Sequence, residues 1–243
     1  PVIIGTSEGE REFIGARQAA VLVKSFRDEY DFPIFLNADH HRSFESCQEV
    51  IGAGYDTVLI DGSIMPFEEN IKTTHGVVDY AKSVNPEITV EGELGYLRGE
   101  SKLQEAVEIK PEDFTKPEQA KEFVDKTGVD RLAVVFGNIH GIVSKQEEKL
   151  DFSLLKKINE AVPETFLVLH GGSGLAGEDF KKAIENGIVN IHINTEVRIA
   201  YRQGIEEKLK EAPSETTPYK FLEEAVKKMQ KVVEEKVKFF LNL

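Results

Sequence analysis

One cysteine, Cys47, stands in a chain of 243 residues. No internal disulfide can form, and a reducing, cytosolic setting is expected. Cys47 itself reads as a small buried hydrophobe on a helix. No apolar run approaches the roughly 18 residues that a membrane span needs. No basic segment leads into a long apolar stretch, as it would in a secretory leader. Positive charge is scarce: 30 Lys and Arg against 43 Asp and Glu leave a net charge of −13. So acidic a chain lacks the basic stripe that nucleic acid or an anionic membrane surface requires. A local pocket can still oppose the global charge and take a phosphorylated metabolite. Repeats beyond the alternation described below are missing, as is any low-complexity tail.

What is present is 40% apolar and 30% charged, the composition of a soluble globular protein. The expectation is one domain over residues 1–243, a length that suits a barrel. Short apolar runs recur at Val2–Thr6, Ile34–Ala38, Thr57–Ile60, Ile88–Gly92, Arg131–Phe136, Thr165–Leu169 and Ile188–Ile193. Their sparse polar interruption suits parallel strands buried on both faces. Helical patterns lie between them at Gly15–Tyr30, Ser43–Gly52, Phe67–Ser83, Lys116–Lys126, Phe152–Ala161 and Gly177–Asn186. Ser43, Thr115 and Asp151 offer N-caps, and Gly52, Gly128 and Gly187 offer C-caps. Asn194–Lys210 continues as a helix, and a long amphipathic helix covers about 218–240, with its apolar face on the barrel or on a partner subunit. Gly95–Thr115 lacks periodicity and reads as a long, mobile loop.

Seven βα units in series predict an α/β fold of the TIM (β/α)8 type rather than an open doubly wound sheet. Seven is one short of eight, and the chain starts at Pro1 already in a strand. The expectation is that the first βα unit is absent from the sequence as given, leaving barrel closure open.

The chemistry lies at strand ends, where barrel enzymes gather their catalytic groups. His40, His140 and His170 each close an apolar run. Three imidazoles delivered from separate strands describe a catalytic metal site with an open position, zinc by default. The bland alternative is three hydrogen-bonded structural histidines. His41 must point elsewhere, and His75 lies on a helix. Asp39 could move a proton to or from a substrate whose carbonyl the metal holds; a loop cap is the alternative. In a regular strand it would point away from His40. Asp61 could orient a ligand or a loop. Glu91 and Glu93 share a strand face, where paired carboxylates need a cation or a shared proton. A structural salt bridge would also satisfy them. Gly171, Gly172 and Ser173 after His170 suit an oxyanion, as do Asn194 and Thr195 at a helix start. Gly141 follows His140, and Lys145 close behind could supply positive charge or face solvent. His192 alternates with Asn190 and Asn194 on one strand face, for a substrate contact or a polar network. Together these residues describe a metal-assisted lyase or isomerase for a phosphorylated carbonyl compound.

The ordered motifs Asn37–His41, Phe44–Cys47, Ile60–Ser63 with Pro66–Asn70, Glu91–Gly95, Asn138–Gly141, Leu169–Gly174 and Ile193–Glu196 resemble class II ketose-bisphosphate aldolases over nearly the whole chain. The resemblance implies a zinc lyase that reversibly cleaves fructose 1,6-bisphosphate, or the related tagatose bisphosphate. Dihydroxyacetone phosphate and glyceraldehyde 3-phosphate form through a zinc-stabilised enediolate. It implies His40, His140 and His170 as zinc ligands and Asp39 as proton donor to the aldehyde-derived oxygen in cleavage. Glu93, with Glu91 as the lesser candidate, would assist proton transfer or contact the metal. Gly141, Gly171, Gly172, Ser173, Asn194 and Thr195 would bind the phosphorylated half. A monovalent cation (Na+ or K+) and a homodimer or homotetramer go with the resemblance. His192 departs from it, since the family has asparagine there, and Asn194 stands where many members have an acid. These departures keep two rivals open: another phosphosugar or sugar-acid aldolase or epimerase, and a metal-binding protein that has lost catalysis.

Overall fold

The computed structural model describes residues 1–241. Its order is β1 (Val2–Thr6), α1 (Glu8–Ile14), α2 (Ala16–Tyr30), β2 (Ile34–His41), α3 (Phe44–Ala53), β3 (Thr57–Ile60), α4 (Phe67–Val84) and β4 (Thr89–Leu94). There follow β5 (Gly99–Gln104), α5 (Pro117–Thr127), β6 (Arg131–Val134), β7 (His140–Val143), α6 (Phe152–Ala161) and β8 (Phe166–Leu169). The chain finishes with α7 (Gly177–Glu185), β9 (Ile188–Ile191), α8 (Thr195–Glu211) and α9 (Pro218–Phe240).

The seven expected strands form one curled parallel sheet in the order β1-β2-β3-β4-β6-β8-β9. Helices follow the strands on the outside, giving an open barrel of the (β/α)8 type. β1 and β9 are its two edges, and no strand among the described residues joins them. The central strands are apolar because both faces are covered. Leu36, Val58, Val90, Leu132 and Leu167 are all but inaccessible to solvent, and each such side chain contributes about 1.5–3 kcal/mol. Gly92 lies under the Phe123 ring of α5, where a Cβ would meet the ring at 2.6 Å.

Local signals set the helix starts. The Ser43 hydroxyl accepts from Ser46 N–H and Asp151 from Leu154 N–H, each satisfying a free helix donor. The α3 helix runs through Gly52 and stops at Gly54, which takes the left-handed conformation. Thr115 does not cap α5: its hydroxyl donates to the Leu94 carbonyl and accepts from Val135 N–H, tying the end of β4 to that of β6. Helix α1 was not expected, although Ser7 and Glu10 form a capping box at its start.

Two sequence expectations change at the mouth. The segment 95–115 is not one long loop. It holds β5, paired with β7 in a two-stranded ribbon, and a 3-10 turn at Pro111–Asp113. His140 does not close a strand but opens β7, because β6 ends at Val134 and the chain turns through Gly137. Asn138 fixes that turn: its side chain accepts from Phe136 N–H and donates to the His170 carbonyl at 3.0 Å. The last helix packs on its own chain. Gly204 of α8 lets the Ala225 backbone approach, and Phe239 and Phe240 stack around Phe180.

Candidate metal centre and active site

His40, His140 and His170 come together. One ring nitrogen of each lies within 4.8 Å of the others. The ring centroids are 5.1 Å apart for His40 and His140, and 4.9 Å for His40 and His170. His40 comes from the end of β2 and His170 from just after β8, as the sequence pattern suggests, whereas His140 comes from the start of β7.

Bringing Asp39 to the same cluster takes a backbone irregularity. The register between β2 and β3 shifts between Ala38 and His41, and His40 adopts φ +48°. A bulge of this kind re-aims a side chain. Strand alternation would send Asp39 away from His40, whereas the bulge lets both face the mouth. Asp39 Oδ1 lies 3.4 Å from His192 Nδ1. The Asn190 amide donates to His192 Nε2 at 3.3 Å, which leaves the ring proton on Nδ1, facing Asp39. The His192 ring also stacks on His170 with centroids 4.0 Å apart. His41 is buried on its own, with neither ring nitrogen hydrogen-bonded.

Carboxylates orient two of the three imidazoles. His40 Nδ1 donates to Asp61 Oδ2 at 3.1 Å and lies 3.5 Å from Glu93 Oε2. Asp61 is held in turn by the Ser63 N–H and hydroxyl, at 3.1 and 2.6 Å. His170 Nε2 donates to Glu91 Oε1 at 2.8 Å. Each bond fixes a tautomer and frees the opposite nitrogen, as carboxylate partners of metal-binding histidines do.

The electrostatics sort the groups. Burial, with the charges of His40 and His170, brings His140 down to about 3; burial and His192 bring His170 to about 4 despite Glu91. Both are neutral at neutral pH, the form that binds a metal. Burial opposes the charge on His40, but Asp61, Glu93 and Asp39 outweigh it and raise that ring to about 10. Asp39 sits well below the ordinary carboxylate range: burial pushes it up, while the close His192 ring, with His40 and His170, pulls it down further. Glu93 goes the other way. Burial, with Asp61, Glu91 and Asp39 nearby, raises it to about 8 against the pull of His40.

The glycine-rich segment sits beside this cluster. Gly171, at φ +73°, runs against the Ile139 carbonyl, where a Cβ would collide. Gly172 N–H donates to the His192 carbonyl at 3.0 Å. Ser173 Oγ accepts from Asn194 N–H and Glu196 N–H at 3.2 and 3.4 Å, so its hydroxyl sits on the start of α8 beside buried Thr195. Gly141 lies in β7 against the Glu100 and Lys102 carbonyls. Lys145 does not join the cluster. Its ammonium is two-thirds exposed and pairs with Glu105 at 2.8 Å, because the chain leaves the mouth along the β5–β7 ribbon. Two residues of the network were given no role from sequence, Arg131 and Asn138, the latter standing only in the Asn138–Gly141 motif. Asn138 carried a signal in its place between a strand and His140. Arg131 opens an apolar run, and nothing in that run marks its charge as buried.

The donor set fits a zinc ion. Two rings have one nitrogen committed to a carboxylate, His140 and His170 are neutral, zinc would take the place of the proton on the other nitrogen of His40, and Asp39 Oδ1 and Glu93 Oε2 are buried with no hydrogen-bond partner. An α/β barrel that brings three imidazoles, flanked by carboxylates, to one mouth is the scaffold of a metal-dependent enzyme. Comparison with known proteins makes the assignment specific. Residues 1–242 match the family model described as fructose-bisphosphate aldolase class-II, and the chain belongs to that family. It is similar to the YdjI aldolase of Escherichia coli K12, with 32% identity and a TM-score of 0.78, covering 99% of this chain and 81% of that one. The fructose-bisphosphate aldolase of Campylobacter jejuni has the same fold at 20% identity, with a TM-score of 0.78 over 98% of this chain and 82% of its own. The protein is accordingly an aldolase-type lyase, metal-dependent and acting on a phosphosugar. Among the described residues, no helix is long and apolar enough to cross a membrane.

Proposed function

We propose that the protein reversibly cleaves fructose 1,6-bisphosphate to dihydroxyacetone phosphate and glyceraldehyde 3-phosphate. The observation that carries this is the convergence of three imidazole nitrogens within 4.8 Å, beside an ionised Asp39. His40, His140 and His170 would hold zinc. When bound, the ion supplies Lewis-acid polarisation of the ketose carbonyl and stabilises the charge left on the triose-phosphate half. The chain supplies the rest. Cleavage of a β-hydroxy ketone releases the hydroxyl proton, so an ionised Asp39 accepts that proton in cleavage and returns it in condensation. This reverses the donor role expected for cleavage from the sequence. Glu93, protonated at neutral pH and 3.5 Å from His40, is the second proton reservoir of the site. Gly141, Gly171, Gly172, Ser173, Asn194 and Thr195 line the place of the phosphorylated half, with the Gly172 N–H committed to the His192 carbonyl. A homodimer or homotetramer belongs to the same reading, and light scattering measures it.

His192 favours a second reading of the substrate. A bulky ring against Asp39 shapes the space next to the proton-transfer group, which suits tagatose bisphosphate or another phosphorylated ketose. A coupled assay for triose phosphate over a ketose-phosphate panel decides, before and after chelation and zinc return. Activity on fructose 1,6-bisphosphate lost to chelator and restored by zinc is expected. Turnover of another ketose phosphate alone moves the substrate. Intact zinc content without any turnover overturns the catalytic reading.

A further inference from the structure

The mouth of the barrel is wired to its floor. Glu91 is wholly buried on β4, and its two carboxylate oxygens face opposite ways. Oε1 accepts from His170 Nε2 at 2.8 Å. Oε2 lies 3.3 Å from Arg131 Nη2, a guanidinium whose side chain is 7% exposed. Glu91 and Arg131 are direct partners in the β4–β6 register, so the backbone itself sets the pair. Arg131 also reaches across the lumen: Nη2 donates to Asn37 Oδ1 on β2 at 3.2 Å and to the Thr57 hydroxyl on β3. Its outer side lines a cavity of about 520 Å³ at the floor, with Ile3, Tyr55, Thr57 and Phe166. Three strands thus hold one buried cation under one buried carboxylate.

We propose that Arg131 is a positioning residue of the metal centre, anchoring the Glu91 carboxylate so that Glu91 in turn holds the His170 ring with its Nδ1 turned to the metal. The inference rests on the reading of His40, His140 and His170 as metal ligands. A carboxylate buried this deeply needs a cation. Among the described residues, the Arg131 guanidinium is the only Lys or Arg group in ion-pair contact with Glu91. The pair is ionic rather than hydrogen-bonded, since Glu91 Oε2 and Arg131 Nε have no hydrogen-bond partner. The contacts to Asn37 and Thr57 therefore matter: they hold the guanidinium where its charge acts on Glu91. Nothing in this chain of contacts touches substrate, and its effect reaches the metal only through His170.

The test is zinc affinity of the apoprotein, by chelator competition, together with the visible spectrum of the cobalt-loaded protein. Arg131→Gln is expected to weaken zinc about 10- to 100-fold, the cost of removing a partner behind a metal ligand, and to alter the cobalt bands. Glu91→Gln is expected to do the same, and the double variant is expected to be no worse than Glu91→Gln alone, since both act through one path. Arg131→Lys, which keeps the charge, is expected to recover at least half of the loss on a logarithmic scale. Unchanged zinc affinity and cobalt spectrum in folded Arg131→Gln overturn the proposal, and so do additive losses in the double variant. Should Arg131→Gln fail to fold, Arg131→Lys decides: affinity within threefold of the parent supports the proposal, and a loss beyond tenfold overturns it. If the parent binds zinc no better than its His140→Ala variant, the metal-site reading itself has failed, a result distinct from either.

Discussion

The charges inside the barrel mouth and those on the outer helices obey different rules. Outside, Lys24–Asp28 on α2, Lys121–Asp125 on α5 and Lys227–Glu223 on α9 are one-turn pairs at 2.7–3.0 Å. All six side chains are more than half exposed, so water and salt screen them. Inside, Asp39, Glu91 and Glu93 each keep a buried oxygen without a hydrogen-bond partner. The outer pairs are complete and weak. The inner groups are incomplete, crowded and far from their ordinary pKa values. An incompletely paired cluster in a low-dielectric mouth is costly on its own and useful when a cation and an anionic substrate complete it.

The largest effects should therefore come from the mouth. His140→Ala or His170→Ala removes one of the proposed zinc ligands and should forfeit several kcal/mol of charge stabilisation, a rate loss of roughly 10³-fold or more. The coupled assay reads that loss, and zinc content should fall with it. Asp39→Asn separates proton transfer from metal binding: kcat should drop about 10²- to 10⁴-fold with zinc content unchanged. Loss of zinc in Asp39→Asn would show that the carboxylate belongs to the metal site and not to the proton path.

Much of this was legible before any coordinates. The seven parallel strands were, because strands covered on both faces spell out apolar runs. So were the three histidines, since each lies next to such a run. The β2 bulge was not. Alternation sends Asp39 and His40 to opposite sides, and only the register shift with φ +48° at His40 overrules it. The β5–β7 ribbon was hidden because Gly99–Gln104 is almost wholly exposed and has no apolar face to betray a strand. Arg131 was hidden for the opposite reason. It is a charge in a buried strand, and its partners Glu91, Asn37 and Thr57 are 40 to 94 positions away.

A half-buried acid outside the histidine cluster tests whether burial alone makes the difference. Glu148, in the loop before α6, is raised to about 8, chiefly by burial, with the Ile139 N–H opposing and Asp179 adding. Its folded pKa exceeds the ordinary 4.5, so its contribution to stability is present in full below that value and is lost as pH rises through about 8. Glu148→Gln cannot lose the proton. Its melting temperature should match the parent near pH 4 and exceed it by about 2–4 °C near pH 9. An equal difference at both pH values would assign the effect to packing instead.

The smallest effect belongs outside. Lys24→Ala breaks the pair with Asp28 but leaves no buried group behind, as both side chains are more than 60% exposed. Alanine also has the better helix propensity. The loss should stay below about 0.5 kcal/mol, and it should vanish in ~0.5 M salt, where screening acts within a few ångströms. Chemical denaturation at low and high salt measures both. A loss above 1.5 kcal/mol that persisted in salt would mean that α2 depends on its outer charges as the mouth depends on its inner ones. The contrast would then lie between paired and unpaired groups and not between inside and outside. A salt-sensitive loss of a few tenths keeps the division where burial puts it.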